Sequence, residues 1–400
     1  MRRGLVAALA ALALAAPAQG ASLPIRLGKA IAVPHVARSA TGAVAVDLLT
    51  GKTLFAQNAN RSLAPASNEK LAVSFAALRA LGPGYRFRTD VVGKGRQDGR
   101  VWVGNLVLKG YGDPTLDSKG LGRLAAQLRA QGIREVTGRV LGDESWFDGV
   151  RTAPGWKSSF YVTESAPLSA LVVDGDWYEH HVATKPALAA AGRFRQVLRT
   201  HGIVVDGPVG TGVASENGIL LAEVRSQPLQ TVLRFMDRDS DNFTAEALLK
   251  ELGAEAGAGG TTAAGVEVVV RELTAAGIPM TGVRIIDGSG LSQSDRLTAR
   301  ALGALLLAVW RDPHLRSVLW RALPIAGKNG TLAHRLKKGP AHGLVRAKTG
   351  TTDLASALSG YVGERFAFAV LENGRPVSWT WARTAQDRFA TVLASVAAAA

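Results

Sequence analysis

Ser67-Asn68-Glu69-Lys70, Ser240-Asp241-Asn242 and Lys348-Thr349-Gly350 decide how this 400-residue chain is read. They spell S-x-x-K, S-D-N and K-T-G, in that order. Each string alone is weak, since three or four letters recur by chance. Their order, and the gaps of 173 and 108 residues between the first letters, make the set specific. Together they supply a nucleophile, a proton shuttle and an anion site.

Ser67 and Lys70 lie at i and i+3, on one face of a helix that Leu71, Phe75 and Leu78 predict over about 67–81. A serine hydroxyl is a poor nucleophile until a base takes its proton. Lys70 can do so if burial and neighbouring cations lower its pKa. Taken alone, the pair also reads as a helix cap and a solvated lysine. Ser240 and Asn242 add a hydroxyl and an amide on a turn between helices. Ser240 can pass a proton from Lys70 to a leaving nitrogen, and Asn242 can orient Lys70. Lys348 and Thr349, late in a strand, form a cation and hydroxyl pair suited to a terminal carboxylate. Gly350 leaves the strand edge open to substrate backbone. The N–H groups of Thr351 and Ser67 would make an oxyanion hole.

Working outward, Gly42 to Gln57 reads as a hairpin turning at Thr50-Gly51. Short apolar runs broken by Gly, Asp and Pro fill about 85–224, with one helix near Leu121 to Gln131. Helices return from Gln230, through Asn242 to Leu252 and Val266 to Ala276, and again at Thr298 to Arg311 and Trp381 to Val396. Leu344 to Lys348, Ala355 to Val362 and Arg365 to Leu371 read as an antiparallel meander. The expected fold is α/β (α+β): residues 21–84 and 225–400 form one domain of antiparallel sheet and flanking helices, and residues 85–224 form a β-rich insertion.

The first 20 residues read as a secretory signal peptide: Arg2-Arg3, an apolar run from Leu5 to Ala16, then small residues offering cleavage after Ala18 or Gly20. No later stretch is apolar enough to span a bilayer, so an exported protein of the periplasm or cell-wall space is expected. The formal charge of +15 falls to +13 without Arg2 and Arg3. Its Lys and Arg residues are scattered, with no basic run interleaved with aromatics, which argues against nucleic acid. The absence of cysteine excludes disulfides, a thiolate nucleophile and thiolate metal sites. The histidines lack a motif context, and no metal or nucleotide signature is present, so no cofactor is expected.

Further strings join the three: Gly110-Tyr111-Gly112-Asp113-Pro114-Thr115-Leu116, Gly142-Asp143-Glu144-Ser145-Trp146-Phe147-Asp148, Ala153-Pro154-Gly155-Trp156, Ser240 to Glu246 (SDNFTAE), Asp287 to Ser292 (DGSGLS) and Leu323 to Gly327 (LPIAG). With them the chain resembles the penicillin-binding protein 4 type of D-alanyl-D-alanine carboxypeptidase/endopeptidase, serine peptidase family S13. The resemblance implies a transpeptidase/β-lactamase-like domain and an acyl-enzyme on Ser67. It implies peptidoglycan stem peptides as substrates and β-lactams as covalent inhibitors. It also places Asp143 against the side-chain ammonium of the stem peptide's diamino acid. Gln293 stands where the family usually has arginine, with Arg296 three residues on, so the carboxylate beside that ammonium loses its expected partner. Competing readings are a β-lactamase or esterase on the same fold, for which no E-x-x-L-N string is present, and a catalytically silent cell-wall binding protein.

Overall fold

The computed structural model describes residues 21–178 and 181–399; the expected signal peptide lies outside the described residues. A five-stranded antiparallel sheet runs Val345–Thr351, Ala355–Val362, Phe366–Asn373, Thr41–Asp47, Thr53–Gln57. Val44 pairs with Ala369, which closes the N-terminal hairpin onto the C-terminal meander. Every residue of Ala355–Val362 is buried, because helices cover both faces. Trp379–Ala397 and Leu23–Ala30 pack on one face, around Leu27, Phe368 and Phe389. Glu69–Ala80, Leu229–Asp239, Asn242–Glu255 and Ala299–Arg311 pack on the other.

Glu69–Ala80 is buried nearly all round, from Leu71 and Phe75 to the polar Lys70 and Ser74. Its alanines admit neighbours closely, which makes it a central helix rather than an amphipathic surface one. Lys70 therefore starts from a dry position.

Residues 88–225 build a second, mixed sheet on the long hairpin Arg88–Asp98 and Val101–Gly110. Val140–Asp143 runs parallel to the second hairpin strand, and Ile219–Arg225 antiparallel to the first. Two helices, Ser118–Ala130 and Pro186–Thr200, cover it around Trp102, Leu106, Leu124 and Phe194. The sequence reading placed only the first. The second carries its own signal: Pro186 at the first turn, then Ala187, Ala190, Ala191, Phe194 and Leu198 on one face.

This segment docks on the helix that follows S-D-N. Phe147, Leu168, Ala170 and Val172 pack with Phe243 and Ala247. Trp146 Nε1 donates to Glu251 at 2.8 Å, and Lys250 pairs with Asp148. Among the described residues no helix is long and apolar enough to cross a membrane.

Candidate active site

The strand carrying Lys348 is an edge of the five-stranded sheet, and it packs against the turn that presents Ser67. Two main-chain features bring them together. Ala66 has a positive φ of 47°, and Gly290 lies so close that a Cβ there would sit 1.9 Å from the Ala66 oxygen. Gly350 faces the same turn: a Cβ on it would meet Pro65 O at 2.8 Å and Asn68 Nδ2 at 3.0 Å. Its small size thus serves the approach of strand to nucleophile turn.

Lys70 Nζ donates to Asn242 Oδ1 at 2.8 Å and to the Ser289 carbonyl at 2.7 Å, and lies 3.0 Å from Ser67 Oγ. Asn242 Nδ2 donates to the Glu164 carbonyl at 2.8 Å. Lys348 Nζ donates to Ser240 Oγ at 2.8 Å. Ser240 is therefore tied to Lys348, and the Ser289 carbonyl is the further acceptor on Lys70. Ser240 holds a left-handed conformation, φ 63°, which ends Leu229–Asp239 and starts the turn into Asn242–Glu255. Thr349 Oγ1 hydrogen-bonds Thr331 Oγ1 at 2.7 Å.

Both lysines are fully buried. Burial pushes Lys70 down to about 8, against the pull of Asp287, Glu246, Asp241 and Asp237. Burial, with repulsion from Lys70, pushes Lys348 down to about 7, and Asp237 opposes this. Asp237, also buried, accepts from Ser74 Oγ at 2.8 Å and is raised to about 6. An amine near 8 is suited to general base work at neutral pH.

Beside Ser67 opens a cavity of about 170 Å³, lined by Ala66, Gly290 and Thr351 on the catalytic side. Its far wall carries Lys157, Phe160, Glu164, Gln293, Asp353 and Trp379. Lys157 Nζ pairs with Asp353 at 2.6 Å.

Ser67, Lys70, Ser240, Asn242, Lys348, Thr349, Gly350 and Thr351 thus meet around one cleft. Asp143 does not. It is buried at the end of Val140–Asp143, where Oδ1 accepts from Ser145 N and Oδ2 from Ala214 N. Both oxygens hold local backbone, one amide each, and neither contacts another site residue. Arg296 also points elsewhere, donating to the carbonyls of Gln293 and Asp295. The residues sequence missed are Ser289, Glu164, Lys157 and Asp353. For Lys157 a signal existed, since it directly follows Ala153-Pro154-Gly155-Trp156.

A serine, a buried lysine of lowered pKa and a second buried lysine define a serine acyl-transfer site on a transpeptidase-like fold. The chain belongs to the D-Ala-D-Ala carboxypeptidase 3 (S13) family, whose pattern matches residues 23–187 and 179–396. It is 30% identical to a D-alanyl-D-alanine carboxypeptidase of Actinomadura sp., over 85% of this chain and 79% of that protein. It is 34% identical to carboxypeptidase DacB of Mycolicibacterium smegmatis, over 98% of this chain and 84% of that one. The fold matches penicillin binding protein 4 of Haemophilus influenzae with a TM-score of 0.80 at 23% identity, covering 93% and 98% of the two chains.

Proposed function

We propose that this protein is an exported serine D-Ala-D-Ala carboxypeptidase and DD-endopeptidase that cuts peptidoglycan stem peptides through an acyl-enzyme on Ser67. The observation that carries the reading is the Lys70 amine, buried, lowered to about 8 and 3.0 Å from Ser67 Oγ. Neutral Lys70 takes the Ser67 proton as Oγ bonds to the carbonyl carbon of the penultimate D-alanine. The oxyanion forms between the N–H groups of Ser67 and Thr351. The C–N bond then breaks, and the leaving amine receives the proton that Lys70 took, with Ser240 as relay, so that Lys70 is neutral again. Water repeats the sequence on the ester and frees Ser67. Lys348 and Thr349 hold the terminal carboxylate of the substrate, and the carboxylate of a β-lactam in the same way.

The absence of an E-x-x-L-N string favours the peptidase over a β-lactamase with a dedicated deacylating base. Fluorescent penicillin tests the reading. The protein should gain the mass of one penicillin on the peptide bearing Ser67, hold it for many minutes, and release D-alanine from D-Ala-D-Ala peptides. Labelling that survives Ser67→Ala rejects the nucleophile, and rapid turnover of the label restores the β-lactamase.

A further inference from the structure

Two of the three partners of Lys70 Nζ can only accept. The Ser289 carbonyl and Asn242 Oδ1 take N–H bonds in either protonation state of the amine. In the neutral amine the remaining tetrahedral direction holds the lone pair, and the remaining partner is Ser67 Oγ. The two acceptors therefore aim the base. Asn242 is fixed by the Glu164 carbonyl. Ser289 belongs to the Asp287–Ser292 turn, and its own N–H donates to Glu246 Oε1 at 2.8 Å, beside the Gly288 N–H at 3.0 Å.

Glu246 is one turn beyond Asn242 on Asn242–Glu255, so one helix face delivers both restraints. Asn242 acts directly and Glu246 acts through the loop. From the other side Asp287 accepts from Gly290 N, Ser292 N and Trp156 Nε1. The arrangement is costly. Glu246 is wholly buried, and Glu69 and Asp287 are buried beside it. An apolar residue would avoid that desolvation, but it would leave the two amides without an acceptor.

We infer that Glu246 is a positioning residue for acyl transfer: by gripping the Gly288 and Ser289 amides it aims the Ser289 carbonyl, and with it the lone pair of Lys70, at Ser67. This rests on Lys70 being the base. The full chain is assayed for penicillin acylation and for kcat and KM on a D-Ala-D-Ala peptide. Glu246→Ala should slow acylation and lower kcat by about 10- to 100-fold, the scale of a small misplacement of reacting groups, with KM within about twofold. Glu246→Gln keeps an acceptor oxygen and should stay within about threefold of wild type. If the alanine variant is unfolded in a thermal melt, Glu246→Asp, one methylene short of the amides, takes its place with the same expectation. A folded Glu246→Ala at the wild-type rate, a loss in KM alone, or a folded Glu246→Gln as slow as the alanine variant overturns the inference. Lys70→Ala separates the two readings. If it acylates normally, the base assignment falls; if it is inert while Glu246→Ala is normal, only the role of Glu246 falls.

Discussion

Asn242 is held at both ends of its amide: Nδ2 donates to the Glu164 carbonyl and Oδ1 accepts from Lys70, each at 2.8 Å. Glu164 belongs to the inserted segment and Lys70 to the central helix of the catalytic unit. The insertion therefore supplies part of the restraint on the base, beyond covering the cleft.

That restraint is main chain, so it should survive removal of the Glu164 side chain. Glu164→Ala is expected to acylate with penicillin within about threefold of wild type. Asn242→Ala, which breaks the link from both sides, should lose about 100-fold. Stopped-flow acylation rates at one pH decide it. Equal losses in the two variants would mean that the carboxylate, not the carbonyl, matters.

The carboxylate of Glu164 has another use. It lines the cavity beside Ser67 with Lys157 and Asp353, a set that carries a formal charge of −1. Lys157 is already paired with Asp353, and Gln293 adds no charge. A side chain of net positive charge suits this cavity better than a zwitterion. Stem peptides with lysine or amidated diaminopimelate at the third position should have a higher kcat/KM than those with free diaminopimelate. Glu164→Gln should reduce that preference, whereas Asp143→Asn should leave it unchanged. A preference for free diaminopimelate in competition assays would show that Lys157 leaves Asp353 to bind the substrate carboxylate.

How far sequence reached follows from where each function is written. Ser67, Lys70, Asn242 and Lys348 act through side chains, in strings whose spacing survives without a structure. The Ser289 and Glu164 carbonyls act through main chain, which any residue type supplies, so no letter marks them. Lys157 and Asp353 are common surface types, 196 residues apart, and only folding pairs them. Asp143 sits in a D-x-S string that also makes a self-capping turn, and its Oδ1 takes the amide two residues on. The central meander was legible because its strands are short, apolar and bounded by turns. The strand Arg88–Asp98 was not, since its second half is exposed and carries little alternation.

The two buried lysines predict an unusual pH profile. Acylation needs Lys70 neutral, whereas carboxylate binding needs Lys348 charged. Their values near 8 and 7 overlap, so the pair titrates as a unit. For a substrate with a free carboxylate, kcat/KM should peak between about pH 7 and 8. It should fall below this as Lys70 gains its proton, and above it as Lys348 loses one. A substrate lacking the carboxylate should keep only the acid limb. Asp237 raises both lysines and is ionised in that window, being near 6. Asp237→Asn should therefore move both limbs to lower pH while keeping an acceptor for Ser74. Limbs that stay in place would separate Asp237 from the lysines.

Stability should follow pH in the opposite sense to an ordinary salt-bridged protein. Burial raises Glu246, Glu372 and Asp176 to about 8 and Glu251 to about 7, and it lifts Glu69 and Asp295 as well. Each binds its proton more tightly folded than unfolded. Their contribution is complete below the unfolded value near 4 and is lost as pH rises toward 8. Lys70 and Lys348, lowered from 10.5, act the other way and restore stability as pH climbs from about 7 toward 10.5. The melting temperature should thus decline from pH 5 to pH 8. Glu372 lies in Phe366–Asn373, and its Oε2 accepts from Gln386 Nε2 at 2.8 Å. Glu372→Gln cannot ionise, so it should flatten the decline by on the order of 1 kcal/mol per pH unit over its share of the window. Melts at pH 5, 6.5 and 8 on both proteins measure it. A wild-type melting temperature that rises from pH 5 to 8 would mean that these carboxyls keep ordinary values in the folded protein.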